Sequence, residues 1–166
     1  MQHLSENQKS WAINNTIKHT ITKQDKEKIT KTISSYLQIH KEIVAAYLFG
    51  SYVTGQQFGD IDLGFLVRNE PENLLEYEFE HEIKLSEQVK FTVDVRVLNK
   101  APVSFVQNVI RRGQIIIDSK PNIRSDFESY ILRKYFDFAP FRRRYLEELI
   151  NARLWSGKNG EARFRV

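Results

Sequence analysis

Two short stretches of this chain alternate apolar and polar residues, and in both the polar side carries aspartate. From Asp60 onward, IDLGFLV puts Ile61, Leu63, Phe65 and Val67 on one side and Asp60, Asp62 and Gly64 on the other. In KFTVDVRVL, Val93, Val95 and Val97 take one side and Thr92, Asp94 and Arg96 the other. Successive side chains of a strand point to opposite faces, so this period of two predicts two half-buried strands. Asp60 and Asp62 then point the same way, and like charges on one face repel unless a cation lies between them. No basic residue stands between them. If the strands are neighbours, Asp94 joins the pair, since cross-strand partners lie ~5 Å apart. Three convergent carboxylates make an oxygen-only donor set suited to Mg²⁺, which binds few carboxylates and is completed by substrate phosphates. Two such ions ~4 Å apart suit a phosphoryl displacement.

Upstream, IVAAYLF (residues 43–49) is apolar throughout, as in a strand covered on both faces, and runs straight into Gly50-Ser51. Glycine permits close backbone approach, and a serine amide and hydroxyl at a turn can hold a phosphate. The following SYVTGQQFG is turn-rich, with room for one short helical turn. Thr22 is a candidate N-cap for an amphipathic helix reaching about Gln38, carried by Ile29, Ile33 and Leu37. Pro71 is expected to open a second helix with a stripe of Leu75, Phe79 and Ile83. Pro102, the pair Arg111 and Arg112, and Gly113 bracket a third, and QIIID (114–118) forms a last strand. From about Ile123 a long helical pattern passes through Phe127, Ile131, Tyr135, Phe138, Tyr145 and Leu149, and Pro140 predicts a kink or a break in it. The order is that of an α/β chain with a small sheet covered by helices. Residues 1–21 are expected to form an N-terminal arm, 22–155 the domain, and 156–166 a flexible tail.

At 166 residues, 41% apolar and 28% charged, the chain suits one globular domain. It has no cysteine, so disulfides and thiolate metal sites are excluded and a reducing cytoplasm is the expected setting. The first residues lack the pattern of a signal peptide, and no apolar run approaches the ~20 residues that span a bilayer. The net charge of +4 gathers at Arg142 to Arg144, Arg153 and the tail, which fits a solvated helix face as readily as a nucleotide or acidic partner. His3, His19, His40 and His81 share no ligand spacing and read as surface or helix residues. Arg96 shares the side of Asp94, where it could pair with that carboxylate or touch a phosphate, and Tyr52 suits either base stacking or packing.

The ordered set of buried strand, Gly-Ser, Asp-x-Asp, helix, and strand with a third Asp resembles the minimal nucleotidyltransferase (MNT) family of the polymerase-beta superfamily. The resemblance is carried by GSYVTGQQFGDIDLGFLV and VKFTVDVRVLN, and extends through APVSFVQNVIRRGQIIID to SDFESYILRKYFDFAPFRRRYLEEL, from about Ile43 to Leu154. It implies a polymerase-beta-like fold, a small mixed sheet flanked by helices. It further implies that Gly50 and Ser51 hold the triphosphate of ATP, and that Asp60, Asp62 and Asp94 hold two Mg²⁺ ions, Asp94 nearest the attacking group. Two features depart from the family: only eight residues separate Ser51 from Asp60, and Val53 and Thr54 stand where a basic residue is usual. Members are commonly antitoxins that silence a HEPN-domain ribonuclease by moving AMP from ATP to a tyrosine, and that is the function expected here. A small-molecule nucleotidyltransferase and a non-catalytic antitoxin are the alternatives; neither membrane association nor direct nucleic-acid binding is expected.

Overall fold

The computed structural model describes residues 18–55 and 57–160. The first helix, α1 (Lys23–Gln38), starts where Thr22 caps it, the Thr22 side chain accepting from the Asp25 amide. Its Ile33 and Leu37 are buried, as their four-residue spacing predicts. The strands β1 (Ile43–Phe49), β2 (Ile61–Val67), β3 (Val93–Val97) and β4 (Gln114–Asp118) make one sheet in the order β3-β2-β1-β4. β1 runs antiparallel to β2 and to β4, whereas β2 and β3 are parallel, so the sheet is mixed. The remaining helices are α2 (Gly50–Thr54), α3 (Leu74–Val89), α4 (Val103–Arg112) and α5 (Pro121–Gly160).

The sheet is covered on both sides. Ile61, Leu63, Phe65 and Val67 of β2 and the three valines of β3 pack with Ile33 and Leu37 of α1 and Leu85 of α3. On the opposite side Val44, Ala45 and Tyr47 of β1 meet Leu98 just after β3, Val106 and Val109 of α4, and Ile131 of α5. β1 lies between the two layers, which is why all but its last residue are buried. α5 is anchored by Arg124, which pairs with Asp118 at 3.0 Å and Glu128 at 2.9 Å, and Glu128 accepts from the Tyr47 hydroxyl at 2.8 Å.

β3 is an edge strand, and α3 covers its free edge with side chains. Ser86 Oγ accepts from the Val93 amide at 2.9 Å, Glu82 Oε1 from Val95 at 3.0 Å and Glu78 Oε1 from Val97 at 2.7 Å. Acceptors four apart on the helix meet donors two apart on the strand, because ~6 Å separates them in either element. The edge is thereby closed to pairing with another chain.

Two expectations are corrected. Pro71 does not open α3: Asn73 is the N-cap, accepting from the Glu76 amide, and the helix starts at Leu74. The buried face of α3 is Glu78, His81, Leu85 and Val89, while Leu75, Phe79 and Ile83 are exposed. Hydropathy picked the wrong stripe because the inward carboxylates are matched to strand amides, which no hydropathy pattern records. Pro140, where a kink or a break is expected, lies inside α5, which is assigned as one continuous helix. The proline leaves only the Phe136 carbonyl without its helical donor, and Phe136 is itself exposed, so water can satisfy that group. α5 continues through the first five residues of the expected tail to Gly160, and residues 161–166 lie outside the described residues. Of the expected N-terminal arm, residues 1–17 lie outside them too, but His19 is bound to Phe58 through two backbone hydrogen bonds, of 2.7 and 3.1 Å.

The buried face of α3 makes a direct prediction. Leu85→Ala should cost about 2–5 kcal/mol, whereas Phe79→Ala should stay within ~0.5 kcal/mol of the parent in urea denaturation. An equal loss in both would restore the stripe read from hydropathy.

Candidate active site

The polar side of β2 and β3 meets the end of β1 at one corner of the sheet. Asp62 stands opposite Asp94 in the parallel register, and opposite Phe49 in the antiparallel one. Asp60 sits on the bend just before β2 rather than within it, and its charge reaches Asp62 from there. Gly64, the next residue of β2 on this face, is covered by Leu98: a Cβ there would come within 3.1 Å of the leucine side chain. That packing closes the floor of the corner behind Asp62.

Gly50 follows Phe49 immediately, so the chain leaves β1 beside the Asp62 carboxylate. It does so with φ +69°, in the left-handed region, and a Cβ at Gly50 would lie 1.9 Å from Asp62 Oδ2. Only glycine satisfies both demands. The glycine thus makes room for an aspartate of the site itself, in addition to any phosphate. The short helix α2 is closed at its C-terminal end by the Gly55 amide donating to the Ser51 carbonyl at 2.8 Å, and Ser51 is exposed in its first turn.

Burial, then the charges of Asp60 and Asp94, push the Asp62 carboxyl up to about 6. The three carboxylates are not drawn to within 4.8 Å of one another, as expected of like charges on one face. A half-buried carboxylate raised by two anionic neighbours is a donor set that a hard dication would relieve, and Mg²⁺ fits its all-oxygen chemistry.

Arg96 does not join this group. Its guanidinium donates to Glu78 at 3.1 Å. Tyr52 is buried, donates to the Lys26 carbonyl at 3.1 Å and packs edge-on against Phe58, so it is a core residue rather than a base-stacking one. A residue that the sequence concealed is Glu82. Burial raises its carboxyl, against the Val95 amide bond, and a hydrogen bond and charge from Asp94 raise it further. Glu82 therefore fixes the strand through Val95 and stands beside Asp94. The Glu78, Glu82, Ser86 spacing was the available signal, and it had no meaning until β3 was known to be an edge.

A family model of the polymerase beta nucleotidyltransferase domain matches residues 31–122. The chain belongs to that family. The matched span takes in Gly50, Ser51 and all three aspartates. Among solved structures, the nucleotidyltransferase fold is shared with a chain from the complex of tri-AMPylated Shewanella oneidensis HEPN toxin with MNT antitoxin. That match has a TM-score of 0.63 at 21% identity, covering 75% of this chain and 98% of the other. A chain from a toxin–antitoxin structure with AMP-PNP gives 0.64 at 22% identity, covering 73% and 98%. One from the MntA–HepT toxin–antitoxin structure gives 0.58 at 19%, covering 78% and 99%. A comparison with curated proteins returns no match. Among the described residues, no helix is long and apolar enough to cross a membrane.

Two predictions test this corner of the sheet. The folded state holds a proton on Asp62 that the unfolded chain, with a carboxyl near 3.8, releases first. That contribution is complete below about pH 4 and is lost as pH rises through about 6. In EDTA, Asp62→Asn should therefore be more stable than the parent at pH 7, and the difference should vanish near pH 4. Two pKa units correspond to ~3 kcal/mol, which solvent screening at this half-exposed group reduces to ~1–2 kcal/mol. Paired thermal melts across that pH range are the check. Separately, Gly50→Ala should cost at least ~1–2 kcal/mol of stability from the left-handed backbone alone, and should also displace Asp62. Ser51→Ala should leave the melting temperature in place and weaken nucleotide use by ~10-fold or more. Urea titration and ATP titration separate the two effects.

Proposed function

We propose that this protein transfers AMP from ATP to a tyrosine hydroxyl of a HEPN-domain partner, silencing it as an antitoxin. The observation that carries the reading is the register of Asp62 with Asp94, with Asp60 and the Gly50 turn at the same corner. The structural neighbours, an AMPylated HEPN toxin with its antitoxin and a toxin–antitoxin with AMP-PNP, support the nucleotide and the partner.

In this reading Asp60, Asp62 and Asp94 would hold Mg²⁺, whose charge would neutralise the triphosphate and acidify the attacking hydroxyl. The Gly50–Ser51 turn binds the β- and γ-phosphates through backbone amides and the serine hydroxyl. The tyrosine oxygen forms a bond to the α-phosphorus, the bond from that phosphorus to the bridging oxygen breaks, and its electron pair leaves with pyrophosphate. A phenol with a pKa near 10 is a poor nucleophile at neutral pH until its proton is removed. Asp94, exposed on the polar face of β3, accepts that proton and passes it to water. Glu82 keeps the Asp94 carboxylate aimed outward while it does so.

A protein acceptor is favoured by α5. Phe136, Phe138, Phe141, Tyr145, Leu149 and Ile150 are exposed along this helix, far more apolar surface than a soluble helix leaves uncovered for no reason. Val103 and Ser104 of α4 join Tyr135, Phe138, Phe141 and Tyr145 around an open groove of about 460 Å³. A small-molecule acceptor would have no use for such a face. Arg143 of the basic run is paired with Glu147 at 3.2 Å, so the apolar side of α5 is the stronger docking surface.

Incubating a HEPN-domain partner with the protein, ATP and Mg²⁺ should add the mass of one or more AMP units to a partner tyrosine. Asp94→Ala should reduce that transfer by at least ~10²-fold with the complex still formed. Silencing by simple mixing, with the partner unmodified, would instead establish a non-catalytic antitoxin. Transfer only to a small molecule would establish the antibiotic-type alternative.

A further inference from the structure

On the face of the sheet opposite the aspartates, two residues of one turn are brought together with a third about 40 positions later in the chain. His40 and Glu42 lie in the turn between α1 and β1, and His81 lies on the buried face of α3. Each offers a ligand atom, and the three atoms lie within 4.8 Å of one another. Ligands to one transition-metal ion at ~2.0–2.2 Å stand about 3–4 Å apart, so adjustment of side chains alone would close the set.

The surroundings are those of an oriented donor group. The Tyr36 hydroxyl and His81 Nδ1 share a hydrogen bond of 2.9 Å, and His81 stands edge-on to Phe65 in the core. Glu42 Oε1 accepts from the Tyr77 hydroxyl at 3.3 Å and from His40 Nδ1 at 3.1 Å. The Tyr36 and Tyr77 hydroxyls lie outside the donor set, and outer hydrogen bonds of that kind fix the rotation of ligating imidazoles and carboxylates. One wall is closed and the other is open: His81 is only 3% exposed, whereas the side chains of His40 and Glu42 are 23% and 43% exposed. An ion could therefore enter from solvent and seat against a rigid imidazole.

We propose that His40, Glu42 and His81 form a binding site for a borderline divalent transition metal of the Zn²⁺ type, which pins the α1–β1 turn to α3. Two imidazoles and one carboxylate match that class of ion and not Mg²⁺, which takes oxygen donors. Three protein ligands leave further positions to water. The role is structural, since the site lies across the sheet from the nucleotidyltransferase corner and touches none of its aspartates. It is independent of the acceptor proposed above.

The full-length protein, stripped with EDTA, is titrated with Zn²⁺ against a chromophoric chelator, and with Co²⁺ while visible absorption is recorded. One equivalent of Zn²⁺ should bind and raise the melting temperature by several degrees, and Co²⁺ should give ligand-field bands. His40→Gln and Glu42→Gln, both at solvent-facing positions, should fold as the parent does and each bind Zn²⁺ at least 10-fold more weakly. Asp62→Asn should bind it as the parent does. Absence of a stoichiometric Zn²⁺ site in the parent would overturn the proposal. So would unchanged affinity in both His40→Gln and Glu42→Gln, or loss of binding in Asp62→Asn alone, which would place the ion among the aspartates.

Discussion

The close approach of Gly50 to the Asp62 carboxylate is the constraint around which the corner of the sheet is built. β1 ends with Phe49 opposite Asp62, so the chain must leave the sheet at the residue where the site's central carboxylate stands. A left-handed residue without a Cβ lets it turn away there, and the short helix α2 follows directly. The same turn leaves Ser51 exposed at the rim. If the chain turned elsewhere, Asp62 would be buried under β1 or swung away from Asp94. Backbone geometry and electrostatics are therefore set by one contact, with Asp62 half-buried at the price of a raised pKa.

The second support comes from the edge strand. Asp94 lies on the outermost strand of the sheet, where one side has no neighbouring strand to hold it. Glu78, Glu82 and Ser86 take that neighbour's place, and Glu82 reaches both the Val95 amide and the Asp94 carboxyl. Buried acidic residues on a helix normally signal strain or a charged partner. Here they complete a hydrogen-bonded ladder, each carboxylate replacing lost water with a backbone donor, and Glu78 has the Arg96 guanidinium as a charged partner as well.

Much of this was legible in the residues themselves. Period-two alternation around Asp62 and Asp94 set which side chains face the core, and the unbroken apolar run of residues 43–49 marked the central strand. Thr22 and Gly113 marked helix ends because capping chemistry is local. What stayed hidden depended on partners distant in sequence. Glu78 and His81 look like surface residues of a helix until β3 and Tyr36 are in place. Leu75, Phe79 and Ile83 look like its core stripe for the same reason. His40, Glu42 and His81 have no ligand spacing along the chain, and only the packing of α3 against α1 and the sheet joins them.

The side-chain ladder between α3 and β3 also bears on the order in which the protein can assemble. Its three hydrogen bonds close over sequence separations of 7, 13 and 19 residues, whereas Asp62 and Asp94 are 32 apart and Ile43 must find Val67 across the intervening turn. Loop-closure entropy grows with separation, so the helix–strand unit is the cheaper one to form. A parallel strand ordinarily waits for its neighbour before it is held extended. β3 has a template of its own in α3, so the carboxylate-bearing edge can be ordered before β2 arrives to pair with it.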